Sequence, residues 1–334
     1  MNLITSYKGR VLSGMRPTGP LHIGHLFGAL ANWKRLQDEG YQCFYMIADW
    51  HALSTEYQNP GEIRINTFEI ALDFLSCGLD YEKSVIFVQS LVKEHAELNL
   101  ILSMLVPIPW LERNPVYKEQ IQELKEKDLA TYGFLGYPVL QAADILIYRA
   151  QYVPIGVDQL PHLELTREIA RRFNYLYGNY FPEPKELLTE APKIPGTDGR
   201  KMSKSYGNAI FLKDSDEQIR AKISKMFTDQ KRLYRKDPGH PDECAVFDYR
   251  KLVSREYQKI KQQCLKAEIG CVECKMQMAE ELIKYLEPIQ ERRRELERDS
   301  KHVWKIMRDG SRKASRVAEE TMKNIRRLVG LEIW

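Results

Sequence analysis

The sequence predicts an α/β fold: a doubly wound, Rossmann-like parallel sheet followed by an α-helical domain. Three observations predict it. Short apolar, β-rich runs alternate with helical patterns through the first 200 residues, as crossover helices between parallel strands require. Beyond about residue 206 the strand signals thin out and long helical patterns take over. Between the two lies "PGTDGRKMSKSYGN" (195–208), a loop rich in Gly, Ser and Lys. An α/β domain is therefore expected over residues 1–200, and the loop plus a helical domain over 201–334.

Taken in order, "RVLSG" (10–14), "CFYMIA" (43–48), "SVIFVQS" (84–90) and "QYVPIG" (151–156) read as strands. Between the second and third, residues 61–78 place Ile65, Phe68, Leu72 and Leu75 at helical spacing, with Gly78 positioned to end the helix. The later helices are expected over 215–227, 251–268, 272–296 and 300–329.

Composition excludes some classes. With 43% hydrophobic and 29% charged residues, 334 residues can bury a large core, and no apolar run approaches the roughly 18 residues of a membrane span. "MNLITSYKGR" lacks the basic start, apolar block and small-residue site of a secretion signal, so a cytoplasmic protein without membrane association is expected. Residues 281–334 hold 14 basic and 10 acidic residues, which is the whole +4 excess of the chain. A basic helical end suits a polyanionic partner, although on charge alone a solvated helix face is the better reading.

Two segments carry the chemistry. In "RPTGPLHIGHLFGAL" (16–30), His22 and His25 follow the first strand at what reads as a helix start, where unpaired N–H groups favour phosphate. Gly24 lets a nucleotide approach the backbone, and two imidazoles can donate to phosphoryl oxygens; a metal site would need a third ligand. In "KMSKS" (201–205), Lys201 and Lys204 are point charges able to follow a triphosphate as charge develops on the leaving pyrophosphate, while a solvated basic loop is the plainer alternative.

"HIGH" after the first strand and "KMSKS" after the last occur together, and in this the chain resembles the class I aminoacyl-tRNA synthetases. The segments "SGMRPTGPLHIGHLFGALANW", "IADWHAL", "WLERNPVYKEQ", "YPVLQAADILIY", "VPIGVDQLPHLELTREIARRFN" and "GSRKASRVAEETMKNIRRLVGL" narrow the resemblance to the tryptophanyl group. It implies an ATP-dependent ligase of L-tryptophan and tRNA(Trp), with Mg²⁺, a helical anticodon-binding domain, and a homodimer formed through an insertion at about 100–135. His22, His25, Lys201 and Lys204 would be catalytic. Contacts to ATP would come from Arg16, Pro17, Thr18, Gly24, His25, Gly156, Val157, Asp158, Lys201, Met202, Ser203, Lys204 and Ser205. Tryptophan would meet Leu12, His51, Tyr137, Gln141, Asp144 and Gln159.

In that resemblance Asp144 accepts the indole N–H. An ionised carboxylate only accepts and the indole nitrogen only donates, so one oriented bond in an apolar pocket would penalise phenylalanine. The alternatives for these residues are a helix-surface Asp144 in "AADILIY" and a core Tyr137. Tyrosyl enzymes are the near rival. Gln141 is more tyrosyl-like, since many tryptophanyl enzymes have Met there, but Leu12 stands where tyrosyl enzymes usually carry a Tyr. A catalytically idle RNA-binding paralogue and another nucleotidyltransferase complete the alternatives.

Four of the six cysteines, Cys244, Cys264, Cys271 and Cys274, form C-x19-C-x6-C-x2-C, while Cys43 and Cys77 read as small buried residues. In a reducing compartment four clustered thiols suggest metal, and Zn(Cys)4, [4Fe–4S] and free thiols all remain open. The arrangement resembles the subset of bacterial tryptophanyl enzymes that carry [4Fe–4S] in the anticodon-binding domain.

Overall fold

The computed structural model describes residues 7–115, 117–118, 129–188, 194–204 and 206–332, and of Asp158 the backbone alone. Five strands, β1 (Arg10–Met15), β2 (Gln42–Ile47), β3 (Val85–Val88), β4 (Tyr152–Ile155) and β5 (Lys185–Leu188), form one parallel sheet in the order β3-β2-β1-β4-β5. The order reverses between β1 and β4, the topological switch point outside whose carboxyl ends such sheets bind ligands. Pro154 lies on β4. It has no N–H to give, and Val11↔Tyr152 is the register pair recorded between β1 and β4.

The four expected strands are present and β5 is an addition. "KELL" lacks the double-sided apolar run of a buried strand because β5 lies at the sheet edge, half exposed. Helix Ile63–Ser76 ends where expected, with Gly78 at φ +93°, a conformation that favours glycine. The single helix expected over 251–268 is instead two, Ala245–Val253 and Tyr257–Leu265. Extended backbone at Ser254, whose N–H bonds the Arg250 carbonyl, breaks them apart.

The packing divides the chain differently from a cut after residue 200. One compact body comprises Met1–Thr18, Ala29–Glu190 and Asp299–Trp334; the other comprises Gly19–Gly28 and Ala191–Arg298. Helix Ser300–Leu328 was expected in the helical domain and belongs with the sheet. Its buried stripe Ala314, Ala318, Met322 and Ile325 joins the main core with Phe87, Leu98 and Leu102. It also closes the β3 edge: Ser311 Oγ accepts the Val88 N–H at 3.2 Å and donates to the Met307 carbonyl at 2.7 Å. Arg326 binds both oxygens of Glu97 at 2.7 and 2.6 Å. In the second body, helices Asp216–Ser224, Ala245–Val253 and Cys271–Arg298 pack around Ile219, Ile223, Phe247, Met278 and Leu282.

A Cβ built on Gly310 would stand 1.9 Å from the Ile86 carbonyl oxygen, so this helix reaches the sheet edge only without a side chain there. Gly310→Ala is expected to lower stability by about 3 kcal/mol or more, since backbone on both sides leaves little room to relax. In contrast, Gly136→Ala, with open space around it in helix Tyr132–Ile147, is expected to raise stability by up to about 1 kcal/mol. Urea denaturation of the two variants checks both directions.

Candidate functional site

In the sheet body the site grows from the carboxyl ends of the strands. Helix Tyr132–Ile147 starts with Thr131 capping the Phe134 N–H, and its 3.6-residue period puts Tyr137, Gln141 and Asp144 on one face. Asp144 is 1% exposed, which rules out the surface alternative. Its surroundings are not purely apolar, as had been expected. Three side chains converge on the carboxylate: His51 Nε2 at 2.7 Å on Oδ2, His95 Nδ1 at 2.6 Å on Oδ1, and Gln89 Nε2 at 2.8 and 3.0 Å on both. Burial pushes the Asp144 pKa up, but the bonds from His51 and His95 outweigh it and leave the carboxyl below its ordinary value. Asp144 is therefore an ionised carboxylate inside the core.

His51 comes from helix Asp49–Glu56 directly after β2, and its ring meets Tyr137 edge-on at 6.4 Å. The Tyr137 hydroxyl lies 2.9 Å from His162 Nε2, and His162 Nδ1 faces the Asn114 amide at 3.3 Å. An amide N–H on Nδ1 puts the imidazole proton on Nε2, which then donates to the Tyr137 oxygen and leaves its O–H to give elsewhere. Burial raises the Tyr137 pKa, so the phenol keeps its proton. Leu12 is packed in the main core on β1, beside Phe44 and Phe87. Gln141 and Gln159 are half-buried. Arg16, Pro17 and Thr18 leave β1, and Gly156, Val157 and the Asp158 backbone leave β4, so both segments start at the switch-point strand ends.

The second body holds the residues of the two quoted motifs, His22 to His25 and the Lys201 loop. His22 lies in extended backbone that bridges to Phe211, and Ile23–His25 forms a helical turn continued as a π-helix over Leu26–Leu30. The His22 and His25 rings are 3.8 Å apart. The His22 N–H donates to His25 Nδ1 at 3.2 Å, which leaves the His25 proton on Nε2. His22 Nδ1 is buried with no hydrogen-bond partner among the described residues. Burial, then the charge of Lys204, pushes the His22 pKa down to about 4; burial, then His22 and Lys204, holds His25 well below its ordinary value. Both imidazoles are thus neutral near pH 7.

Lys204 donates to the Gly19 carbonyl at 2.7 Å, whereas Lys201 is exposed, and Met202 lies buried against Gly24. Ser205 lies outside the described residues. The loop's organising residue is one that sequence reasoning passed over. Asn208, 2% exposed, accepts the Ser203 N–H at 2.8 Å and donates to the Lys201 carbonyl and to Asp198, which in turn holds Arg200. A Cβ on Gly196 would strike the Asn208 amide at 2.3 Å, so that glycine is required too. The signal was "YGN" at the end of the quoted loop.

Cys244, Cys264, Cys271 and Cys274 line one small cavity in this body, together with Arg232, Phe247 and Ile260. Burial pushes the Cys264 thiol up to about 11 and raises Cys244 and Cys274 as well. The fully buried Arg250 donates from Nε to Cys274 Sγ at 3.2 Å, and Arg232 approaches Cys271 Sγ at 4.0 Å. As placed, however, no group of three or more His, Cys, Asp or Glu among the described residues stands ready to hold a metal ion. The expected ligand set shares a cavity without forming a ligand shell. Cys43 is fully buried in β2, as expected, while Cys77 is half-buried.

Residues 6–287 match the family "tRNA synthetases class I (W and Y)", and the chain belongs to this family, a class of ATP-dependent ligases. Within it, the chain is 54% identical to the tryptophan–tRNA ligase of Thermotoga maritima, over 96% of this chain and 99% of that protein. It is 46% identical to the tryptophan–tRNA ligase of Aquifex aeolicus, over 96% of this chain and all of that one. A solved tryptophanyl-tRNA synthetase from Campylobacter jejuni, complexed with ADP and tryptophan, is similar with a TM-score of 0.88 and 36% identity, covering 96% of this chain and 100% of that one.

Proposed function

We propose that this chain is a tryptophan–tRNA ligase working in two steps in the cytoplasm. The observation that carries the amino-acid assignment is the ionised, buried Asp144 on the helix face shared with Tyr137 and Gln141. A carboxylate offers an indole N–H an oriented acceptor, and the relatives at 46 and 54% identity are tryptophan enzymes. Tyr137, His51, Gln141, Gln159 and Leu12 complete the tryptophan contacts in this reading.

In the first step a tryptophan carboxylate oxygen attacks the α-phosphorus of ATP in line; the new O–P bond forms as the bond to pyrophosphate breaks. No covalent enzyme intermediate is needed. In this reading Gly156, Val157 and Asp158 hold the adenine and ribose, and Arg16, Pro17, Thr18, Gly24, His25, Lys201, Met202, Ser203, Lys204 and Ser205 are the other ATP contacts. Neutral His22 and His25 each donate one N–H, and the orphaned His22 Nδ1 supports a ligand hydrogen bond at this place. Lys201 and Lys204 balance charge on the departing pyrophosphate, with Mg²⁺ arriving on the triphosphate. In the second step the 2′-hydroxyl of the terminal ribose of tRNA(Trp) attacks the adenylate carbonyl, and AMP leaves.

Residues 231–236, "KRLYRK", support RNA recognition by the helical body. Leu233 and Tyr234 are 78% and 67% exposed among Lys231, Arg235 and Lys236, a combination that suits stacking on unpaired bases beside a phosphate backbone. Leu100, Met104, Ile108 and Tyr132, all exposed, support a homodimer through the insertion at about 100–135, of which residues 116 and 119–128 lie outside the described residues.

The four cysteines are read as holding a [4Fe–4S] cluster, with zinc as the alternative. Four thiols on one cavity beside two guanidiniums, which offset thiolate charge, support a thiolate-bound group. A zinc ion would gather all four sulfurs to about 2.3 Å from one point. Such a group would brace the helical body and takes no part in either chemical step.

Tryptophan-dependent exchange of pyrophosphate into ATP tests the assignment. Lys204→Ala is expected to slow exchange by two orders of magnitude or about 3 kcal/mol while tryptophan binding holds. Unchanged exchange would remove the loop from the mechanism, and tyrosine exchange equal to that of tryptophan would overturn the substrate.

For the cysteines, anaerobically purified protein is expected to be brown with about four irons per chain, and Cys271→Ser colourless. One zinc without colour, or no metal with four titratable thiols, would contradict the cluster.

A further inference from the structure

The Asp144 carboxylate has four acceptor positions, two on each oxygen, and three core side chains make four contacts with it. Oδ1 receives His95 Nδ1 at 2.6 Å and Gln89 Nε2 at 2.8 Å; Oδ2 receives His51 Nε2 at 2.7 Å, with Gln89 as a weaker second contact at 3.0 Å. Each oxygen thus meets two contacts, and the longer of the two Gln89 contacts, on Oδ2, is the one a further donor would displace most easily. The donors themselves are fixed from behind. Gln89 Oε1 accepts the backbone N–H groups of Trp50 at 3.1 Å and His51 at 3.4 Å, which forces its amide nitrogen toward Asp144. His95 Nδ1 donates because an ionised carboxylate only accepts, and its Nε2 lies 2.7 Å from the Tyr148 hydroxyl.

Tyr148 is the back wall of this chain of bonds. It is fully buried, stacked on Phe44 with ring centroids 4.7 Å apart and edge-on to Phe87 at 5.5 Å, so its hydroxyl has one direction to point. Burial, and after it the negative charge of Asp144, raises its pKa well above the ordinary value, so the hydroxyl stays a donor. His95 and Gln89 are likewise unexposed. A core built for stability alone has no need of a carboxylate, two imidazoles, an amide and a phenol at one point, since apolar side chains of similar volume avoid the desolvation cost.

We infer that His95, Gln89 and Tyr148 are positioning residues for amino-acid selection: His95 and Gln89, with His51, hold the Asp144 carboxylate, Tyr148 fixes His95, and the side of Oδ2 that carries only the longer Gln89 contact takes the single indole N–H. This rests on the reading that Asp144 binds the indole. His51, already counted among the tryptophan contacts, shares Oδ2 with the substrate. A carboxylate freed from His95 would rotate, or would hold water in place of the indole.

The test compares tryptophan with β-(benzothiophen-3-yl)alanine, which has sulfur where tryptophan has N–H, in pyrophosphate exchange by wild type, His95→Leu, His95→Asn and Tyr148→Phe. Wild type is expected to prefer tryptophan about 10- to 100-fold in kcat/KM, the usual worth of a hydrogen bond to a charged group. In His95→Leu the tryptophan value is expected to fall about tenfold or more through KM, with the analogue and the KM for ATP within about threefold, so that the preference collapses. His95→Asn, whose amide can stand in for Nδ1–H, restores most of it. Tyr148→Phe, nearly isosteric and safe for folding, is expected to weaken the preference about threefold to tenfold. Equal losses for both amino acids in His95→Leu, or an unchanged preference in Tyr148→Phe, would overturn the positioning role. A wild type with no preference would instead overturn the indole reading of Asp144 on which this rests.

Discussion

The carboxylate of Asp144, ionised in a place with almost no access to water, is the interaction on which the sheet body's functional end depends. It ties together segments that the chain order separates: His51 after β2, Gln89 after β3, His95 on helix Glu94–Ser103, and helix Tyr132–Ile147, which carries Asp144 itself. An unpaired charge at this depth costs several kcal/mol, so each donor is held in place by the need to satisfy it. The segments after β2 and β3 and helix Tyr132–Ile147 are thereby tied together through one group.

Two further constraints give that group its setting. Pro154 has no N–H to donate, and the strand order reverses between β1 and β4, at whose carboxyl ends Arg16–Thr18 and Gly156–Gln159 begin. On the opposite edge, helix Ser300–Leu328 supplies through Ser311 the partner that the Val88 N–H would otherwise lack, and Gly310 permits the approach. The second body follows a comparable logic on a smaller scale. There a single amide, Asn208, holds the lysine loop through backbone groups on both sides, while the histidine turn keeps its imidazoles neutral by burial.

The sequence was legible where local pattern and physics coincide. β1 to β4 are read from apolar runs because a parallel sheet buries both faces, whereas β5, an edge strand with Lys185 and Glu186, carries no such run. Helix Ser300–Leu328 shows its apolar stripe plainly, but a stripe does not name the surface it will cover, and the body it joins lies over 100 residues earlier in sequence. The two motifs and Asp144 were legible through family resemblance. His95 and Gln89 were not, because they lie 49 and 55 residues from Asp144 in a stretch with no signature of its own, and only the fold brings them to it. The cysteine spacing correctly brought four thiols to one cavity; a spacing carries no sulfur-to-sulfur geometry, and the ligand shell it suggested is not formed as the residues stand.

The claim at the centre of this account is that a carboxylate surrounded by protein remains charged because three donors converge on it. The most direct measurement is the carboxyl carbon chemical shift of Asp144, followed by NMR as the pH is lowered and assigned by comparison with Asp144→Asn. The account predicts the ionised shift throughout the folded range, with any midpoint below the ordinary aspartate value of about 3.9. A midpoint above that value would mean that burial dominates, that Asp144 is a neutral acid in the core, and that the pocket lacks the acceptor to which its chemistry has been assigned.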